Sequence, residues 1–296
     1  MIRTNHPGYC IPYNDGGAIS GIHSAATRYV KGKYKDFNMN IAVLIKRVPD
    51  TESVFKVAAD EVSVETTGIK YVLGPYDEHA LEEAIQIRES GKADEVVVVT
   101  MGIDSAKEVI RSALAMGADR AIFVEKNVDE AGFAGTSEVL AAALKSEEFG
   151  LIFAGKQAVD DDGAQVPERV GELMGIPHVS AIAKFEMGDG NATAVREIEG
   201  GSYNLEFPLP AICTMEKGIN VPRYPTLPNI MKAKKKEIKE LSFADLGITE
   251  DQIASGLVIE NLSLPRQDRL NNILEGDTAE RVEQLLNKLR QDEKVI

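Results

Sequence analysis

Four times between Ile41 and Met174, a short apolar run gives way to a helical pattern. The runs are Ile41–Ile45, Glu95–Met101, Ala121–Glu125 and Leu151–Ala154, and the helical patterns are Asp77–Ile87, Asp104–Met116, Thr136–Leu144 and Gln165–Met174. Runs such as Val96–Val99, apolar at every position, predict strands buried on both faces. Strand and helix at these intervals imply a parallel sheet with right-handed crossovers and helices on both sides, so the fold class is α/β.

The fourth junction is the most informative. Leu151–Ala154 feeds directly into Gly155-Lys156-Gln157-Ala158-Val159-Asp160-Asp161-Asp162-Gly163-Ala164-Gln165-Val166, after which a helix begins. Free N–H groups and the positive end of a helix dipole suit a phosphate there. Three successive aspartates oppose that, unless they cap the helix or turn away. Paired carboxylates can also hold Mg²⁺ with a phosphate, and an acidic turn capping the helix is the plainer alternative. Neither Gly-x-Gly-x-x-Gly nor Gly-x-x-x-x-Gly-Lys-Ser/Thr occurs.

Elsewhere, Lys46–Asp50 reads as a turn, and Val54–Ala58 with Gly68–Leu73 as a weakly alternating hairpin. After Pro177, Ala181–Glu186, Ala192–Ile198 and Tyr203–Phe207 read as antiparallel strands, and Leu209–Met215 as one more apolar strand. The proline-punctuated loop Val221–Met231 holds Leu227 stiffly beside Lys232–Lys236, which has the makings of a partner anchor, with ordinary packing under the loop as the alternative. Beyond it come a short element at Ser242–Gly247, a strand at Leu257–Leu262, and a helix near Thr278–Arg290 with Val282, Leu285, Leu286 and Leu289 on one stripe. Residues Met1–Asn38 show no sustained period and read as a disordered or accessory extension, or an overlong start; a targeting arm is the alternative, for which Arg3 and Arg28 are too few to make an amphipathic transit helix.

A net charge of −14 argues against a general nucleic-acid or membrane-surface binder. No apolar window is long enough for membrane insertion, and two distant cysteines, Cys10 and Cys213, point to a reducing compartment, so the expected location is cytoplasmic. His6, His23, His79 and His178 fit no ligand or triad pattern. Composition and pattern therefore favour binding over catalysis.

From Met39 onward the chain resembles the beta (small) subunit of electron transfer flavoprotein (ETF). The matching pieces are Val43–Asp50, Gly74–Glu78 with Ala80–Ala84, Ala113–Arg120, Gly155–Asp162, Arg196–Gly201 and Pro222–Lys236. The resemblance implies a Rossmann-like, adenine-nucleotide-binding fold of the universal-stress and ATP-pyrophosphatase type, with an antiparallel addition. On that basis 1–38 is the extension, 39–236 the nucleotide-binding domain with its recognition loop at 222–236, and 237–296 a C-terminal arm contacting the alpha subunit. It also implies an electron carrier of fatty acid β-oxidation without catalytic residues of its own. The obligate partner, the alpha subunit, holds the redox-active FAD, and electrons pass from acyl-CoA or related dehydrogenases to ETF:quinone oxidoreductase.

Carried over residue by residue, the resemblance places a structural AMP among Leu44, Lys46, Gly74, Tyr76, Met101, Gly155, Ala158, Asp161 and Gln165. Tyr76 approaches the partner's FAD, Glu197 matches a contact to the mobile FAD domain, and Leu227 matches the dehydrogenase anchor. Lys232 and Lys235 match lysines methylated in some members. Three departures stand out: Gly74 replaces a common Asn, and Ala164 and Val166 replace the Asn and Thr of AMP-binding members. Ala164-Gln165-Val166 is the form of electron-bifurcating relatives, which hold a second FAD in place of AMP and use NADH. Asp160–Asp162 and Thr226–Lys236 match the non-bifurcating type, so AMP is the expected nucleotide. A stand-alone nucleotide-binding regulator of the universal-stress type is the reading from fold alone.

Overall fold

Strand β1, Asn40–Leu44, is buried at every residue after Asn40. Ile41 and Val43 join one core cluster, Ala42 and Leu44 the other. Side chains alternate across a sheet, so an all-apolar strand needs apolar cover on both faces. The computed structural model describes residues 39–126, 132–253, 258–265 and 272–296, and Met1–Asn38 lies outside them.

Strand β2, Arg47–Pro49, pairs antiparallel with β3, Tyr71–Leu73. The expected hairpin of Val54–Ala58 with Gly68–Leu73 is thus corrected: Val57 bridges Val64 instead. Pro49 made Lys46–Asp50 read as a turn, but proline is tolerated in edge strands, where no ladder donor is required. The Arg47 guanidinium lies 3.5 Å from the Tyr71 ring centroid and Lys70 pairs with Asp50 at 2.9 Å, fastening the two strands.

The repeating units then follow in order: α1 (Pro75–Glu89), β4 (Glu95–Gly102), α2 (Lys107–Met116, entered through a 3-10 turn), β5 (Arg120–Glu125), α3 (Gly132–Lys145), β6 (Leu151–Gly155) and α4 (Val166–Met174). Leu81 and Ile85 of α1 and Ile110 and Leu114 of α2 cover one face of the sheet. Val139 and Leu144 of α3 and Val170 of α4 cover the other. Strands β7 (His178–Met187), β8 (Asn191–Ile198) and β9 (Gly201–Pro208) form the antiparallel addition, and β10 (Ala211–Met215) returns parallel beside β6. Next come α5 (Leu227–Ala233), β11 (Ile238–Leu241), α6 (Phe243–Leu246), α7 (Glu250–Ile253) and α8 (Thr278–Asn287).

The nine-stranded sheet runs β11-β5-β4-β1-β6-β10-β7-β8-β9, and all pairings from β11 to β7 are parallel. The chain builds outward from β1 in both directions, to β4 on one side and β6 on the other. Such a reversal is a topological switch point, where the loops leaving the carboxyl ends of neighbouring strands part and leave a crevice.

Two elements differ from expectation within Val221–Leu241. Leu227–Ala233 is helical rather than loop, with Thr226 as N-cap and Pro228 in the first turn, where its absent N–H is no loss. Ile238–Leu241, in the segment expected to form an arm from 237, is the outermost parallel strand beside β5. Of the strand expected at Leu257–Leu262, Leu257 lies outside the described residues and 258–262 are not in a strand.

The chain divides into two compact units. One comprises the described residues through Val54 together with Thr67–Val258, and the other joins Phe55–Thr66 to Ile259–Ile296. In the second unit, Leu262 N–H donates to the Glu61 carbonyl at 2.7 Å. Helix α8 starts with a reciprocal Asp277–Glu280 capping box, and its Val282, Leu285 and Leu286 are exposed.

Candidate functional site at the switch point

Helix α1 begins at Pro75 after Gly74, and its third residue is Asp77. An acid at this position usually reaches back to its own N-cap residue as half of a capping box. Gly74 has no side chain to reciprocate, and Asp77 reaches outward instead. Its Oδ2 accepts the Lys46 backbone N–H at 2.8 Å, and its Oδ1 accepts the Gly155 N–H at 3.1 Å. One buried carboxylate thus ties the exits of β1 and β6 to the start of α1. Gly74 N–H adds a third link, to the Lys46 carbonyl at 3.0 Å. Burial pushes the Asp77 carboxyl up to about 7, against the two N–H donors that favour its anion.

There is no room for a Cβ at either glycine of this arrangement. On Gly155 it would run into the Asp77 carboxylate and approach Tyr76 Cβ at 2.7 Å; on Gly74 it would lie 2.5 Å from Asp77 Oδ2. The Gly74 departure from Asn therefore has a local reason, since a side chain there would crowd the carboxylate.

The aspartate run is held from the other side. Lys46 Nζ lies 2.8 Å from both Asp160 Oδ1 and Asp161 Oδ2. Burial works to lower the Lys46 pKa, but these two hydrogen bonds outweigh it and hold the ammonium above the usual lysine value. Asp161 Oδ1 accepts the Gly163 N–H at 2.9 Å, and Asp162 Oδ1 accepts from Gln157 at 2.7 Å. All three carboxylates are therefore engaged within the site. They do not cap α4, whose N-cap residue Gln165 makes no side-chain capping bond. Among the described residues no group of three or more His, Cys, Asp or Glu side chains is placed to hold a metal ion.

Between the aspartates and α4 the backbone is strained. Asp162 and Ala164 have φ of 48° and 46°, the left-handed region that residues with a Cβ seldom adopt. A Cβ on Gly163 would meet the Phe133 ring at about 2.5 Å, so the loop is pressed against α3. The uncapped first turn of α4 presents backbone N–H donors and the positive helix end beside this loop.

The sequence-derived positions fall as follows. Leu44 and Met101 are buried at the carboxyl ends of β1 and β4. Lys46 and Asp161 meet in the ion triad, Gly74, Tyr76 and Gly155 surround Asp77, Ala158 accepts the Asp162 N–H at 2.8 Å, and Gln165 opens α4. These positions lie at the carboxyl ends of β1, β4 and β6, on the loops that leave β1 and β6, or at the starts of α1 and α4. Glu197 stands apart, exposed near the end of β8 opposite Ser202. Leu227 is 78% exposed at the first position of α5, and Lys232 and Lys235 are exposed nearby. Asp77 is the residue that sequence reasoning passed over, as one of several acids in a first turn. The signal was an acid three residues after a glycine cap that cannot return its hydrogen bond.

Parallel strands reversing direction of growth at β1, with loops tied by a buried carboxylate at their carboxyl ends, define an open, Rossmann-like α/β protein. A family model described as "Electron transfer flavoprotein domain" matches residues 62–246. A Bacillus subtilis (strain 168) protein named electron transfer flavoprotein subunit beta is 38% identical over 260 residues, covering 87% of this chain and 100% of its own length. Proteins of the same name from Syntrophomonas wolfei and Bos taurus are 43% and 36% identical, covering 68% and 84% of this chain and 79% and 96% of their own. The chain belongs to the electron transfer flavoprotein beta-subunit family. No helix among the described residues is long and apolar enough to cross a membrane.

Two measurements check the site. In the unfolded chain Asp77 titrates near its ordinary value of 3.8, so between there and about 7 the folded state retains a proton that the unfolded state releases. Its contribution to stability is thus full below the lower value and is lost as pH rises through the upper one. Urea denaturation across pH 4 to 8 will show this fall, of order a few kcal/mol, in the native protein and a flatter profile in Asp77→Asn. Ala164→Gly, which relieves the left-handed strain, will raise the denaturation midpoint by the equivalent of about 1 kcal/mol.

Proposed function

We propose that this chain is the beta subunit of a heterodimeric ETF, with an adenine nucleotide, AMP, seated in the switch-point crevice. The observation that carries this is the engagement of all three loop aspartates. With Asp160 and Asp161 on Lys46 and Asp162 on Gln157, the loop offers backbone N–H groups and the α4 dipole to a phosphate. Leu44 and Met101 supply an apolar floor suited to an adenine, and Lys46, Gly74, Gly155, Ala158, Asp161 and Gln165 surround it.

The redox-active FAD belongs to the alpha subunit in this reading, and supplies the one-electron chemistry when bound. Tyr76, beside Gly155 at the start of α1, faces that flavin in this reading, and Glu197 on the antiparallel addition latches the mobile FAD domain. The exposed stripe of α8 supports the C-terminal unit as the arm that grips the alpha subunit. Leu227 is the anchor for acyl-CoA or related dehydrogenases, with Lys232 and Lys235 beside it, and ETF:quinone oxidoreductase is the acceptor. Exposure of most of a large apolar side chain at a helix start is unfavourable for a lone chain and fits a docking surface. The chain acts as a carrier subunit rather than an enzyme.

A second reading, a bifurcating subunit with a second FAD and NADH as donor, is favoured by one observation. Ala164 and Val166 give the phosphate loop no polar side chains on either side of Gln165. Nucleotide released by acid from the co-purified heterodimer decides between them: one FAD and one AMP supports the first, and two FAD establishes the second. Leu227→Ala will slow reduction of the heterodimer by an acyl-CoA dehydrogenase roughly tenfold at limiting concentration, with nucleotide content unchanged.

A further inference from the structure

Val221, Tyr224, Leu227 and Met231 are all more than 70% exposed within one short stretch. A flexible segment carrying such side chains would have to be ordered at each docking event, at a cost in affinity. The segment is instead fastened at both ends. Near its start, Arg223 forks onto helix α1: Nε and Nη2 donate to Glu82 at 2.8 and 3.0 Å, and Nη1 and Nη2 donate to Glu89 at 2.6 and 2.9 Å. Glu82 is only 3% exposed, and a carboxylate so buried requires a paired cation.

Near its end, α5 and α2 cap one another. Arg111 of α2 donates to the carbonyls of Ala233 and Lys236, at 2.7 and 2.9 Å, where α5 finishes. Lys236 returns the interaction, its Nζ donating to the Leu114 carbonyl at 3.1 Å and to that of Ala118, where α2 finishes. Cations at helix carboxyl ends satisfy orphan carbonyls and complement the dipole. Lys236 is thus unlike its neighbours Lys232, Lys234 and Lys235, which are exposed.

We propose that Arg223 and the Arg111–Lys236 pair are positioning residues: they hold the apolar segment around Leu227 in its docking geometry without themselves touching the partner. The inference rests on the docking role given to Leu227 above. Each nitrogen of Arg223 donates to a carboxylate of α1, so little of its hydrogen-bonding capacity remains for a partner. The segment is consequently preorganised, and the clamp acts on encounter rather than on electron transfer within the complex.

The test uses the heterodimer with its alpha subunit as acceptor, at varied concentration, and an acyl-CoA dehydrogenase reduced by its own substrate. Arg223→Ala and Glu82→Gln, which alter net charge in opposite directions, will both raise the KM for the heterodimer roughly tenfold, with kcat and flavin content unchanged. Arg223→Lys will recover only part of the loss, because an ammonium cannot fork onto two carboxylates. If Leu227→Ala raises KM while Arg223→Ala and Glu82→Gln do not, the positioning role is overturned and the docking reading survives. If Leu227→Ala has no effect, the docking reading itself fails. A defect in Arg223→Ala that Arg223→Lys fully restores, with Glu82→Gln normal, would make Arg223 a direct contact and also overturn the proposal. Should Arg223→Ala not assemble, Glu82→Gln and Arg223→Lys decide by the same criteria.

Discussion

The exits of β1 and β6 and the start of α1 are held together by the buried carboxylate of Asp77. Taking an acid out of water is costly, and Asp77 offsets part of that with two backbone N–H donors from segments otherwise far apart in sequence. Those two bonds fasten the ends of β1 and β6 to the start of α1. Two glycines beside the carboxylate follow from this. Gly74 and Gly155 are small because Asp77 and Tyr76 occupy the space a Cβ would need.

The same site shows how a chain of net charge −14 can present an anion-compatible loop. Lys46 draws two of the three aspartates onto itself, and the crevice loses much of the repulsion suggested by the sequence. The dependence is mutual, because the Lys46 main chain is itself held by Asp77 and by Gly74. Side-chain charge and backbone position are therefore set by one connected network.

The central sheet was legible because its strands are apolar at every position and its helices carry separate stripes, two periods that seldom imitate one another. The loop from Gly155 to Val166 was legible as a strand-to-helix junction, though not the direction in which its aspartates point. What escaped did so for physical reasons. Ile238–Leu241 reads Ile-Lys-Glu-Leu, and an edge strand whose Lys239 and Glu240 pair with Glu147 and Lys107 has no apolar signature. Leu227–Ala233 was hidden by prolines, one of which lies in its first turn. Asp77 escaped because its partners are backbone groups 31 and 78 residues away, which no local pattern encodes.

The sheet order gives the segment between β10 and β11 one more property. Strands β6, β1, β4 and β5 lie between them, so at ~4.8 Å per strand the two are offset sideways by about 24 Å. The 22 residues from Glu216 to Glu237, even with Leu227–Ala233 helical, could stretch roughly twice that far. The crossing is therefore a slack strap over helices α1 and α2, not a taut one. Slack chain of this composition would otherwise fold its own apolar side chains against the helices beneath. Pins along its course convert surplus length into a raised ridge.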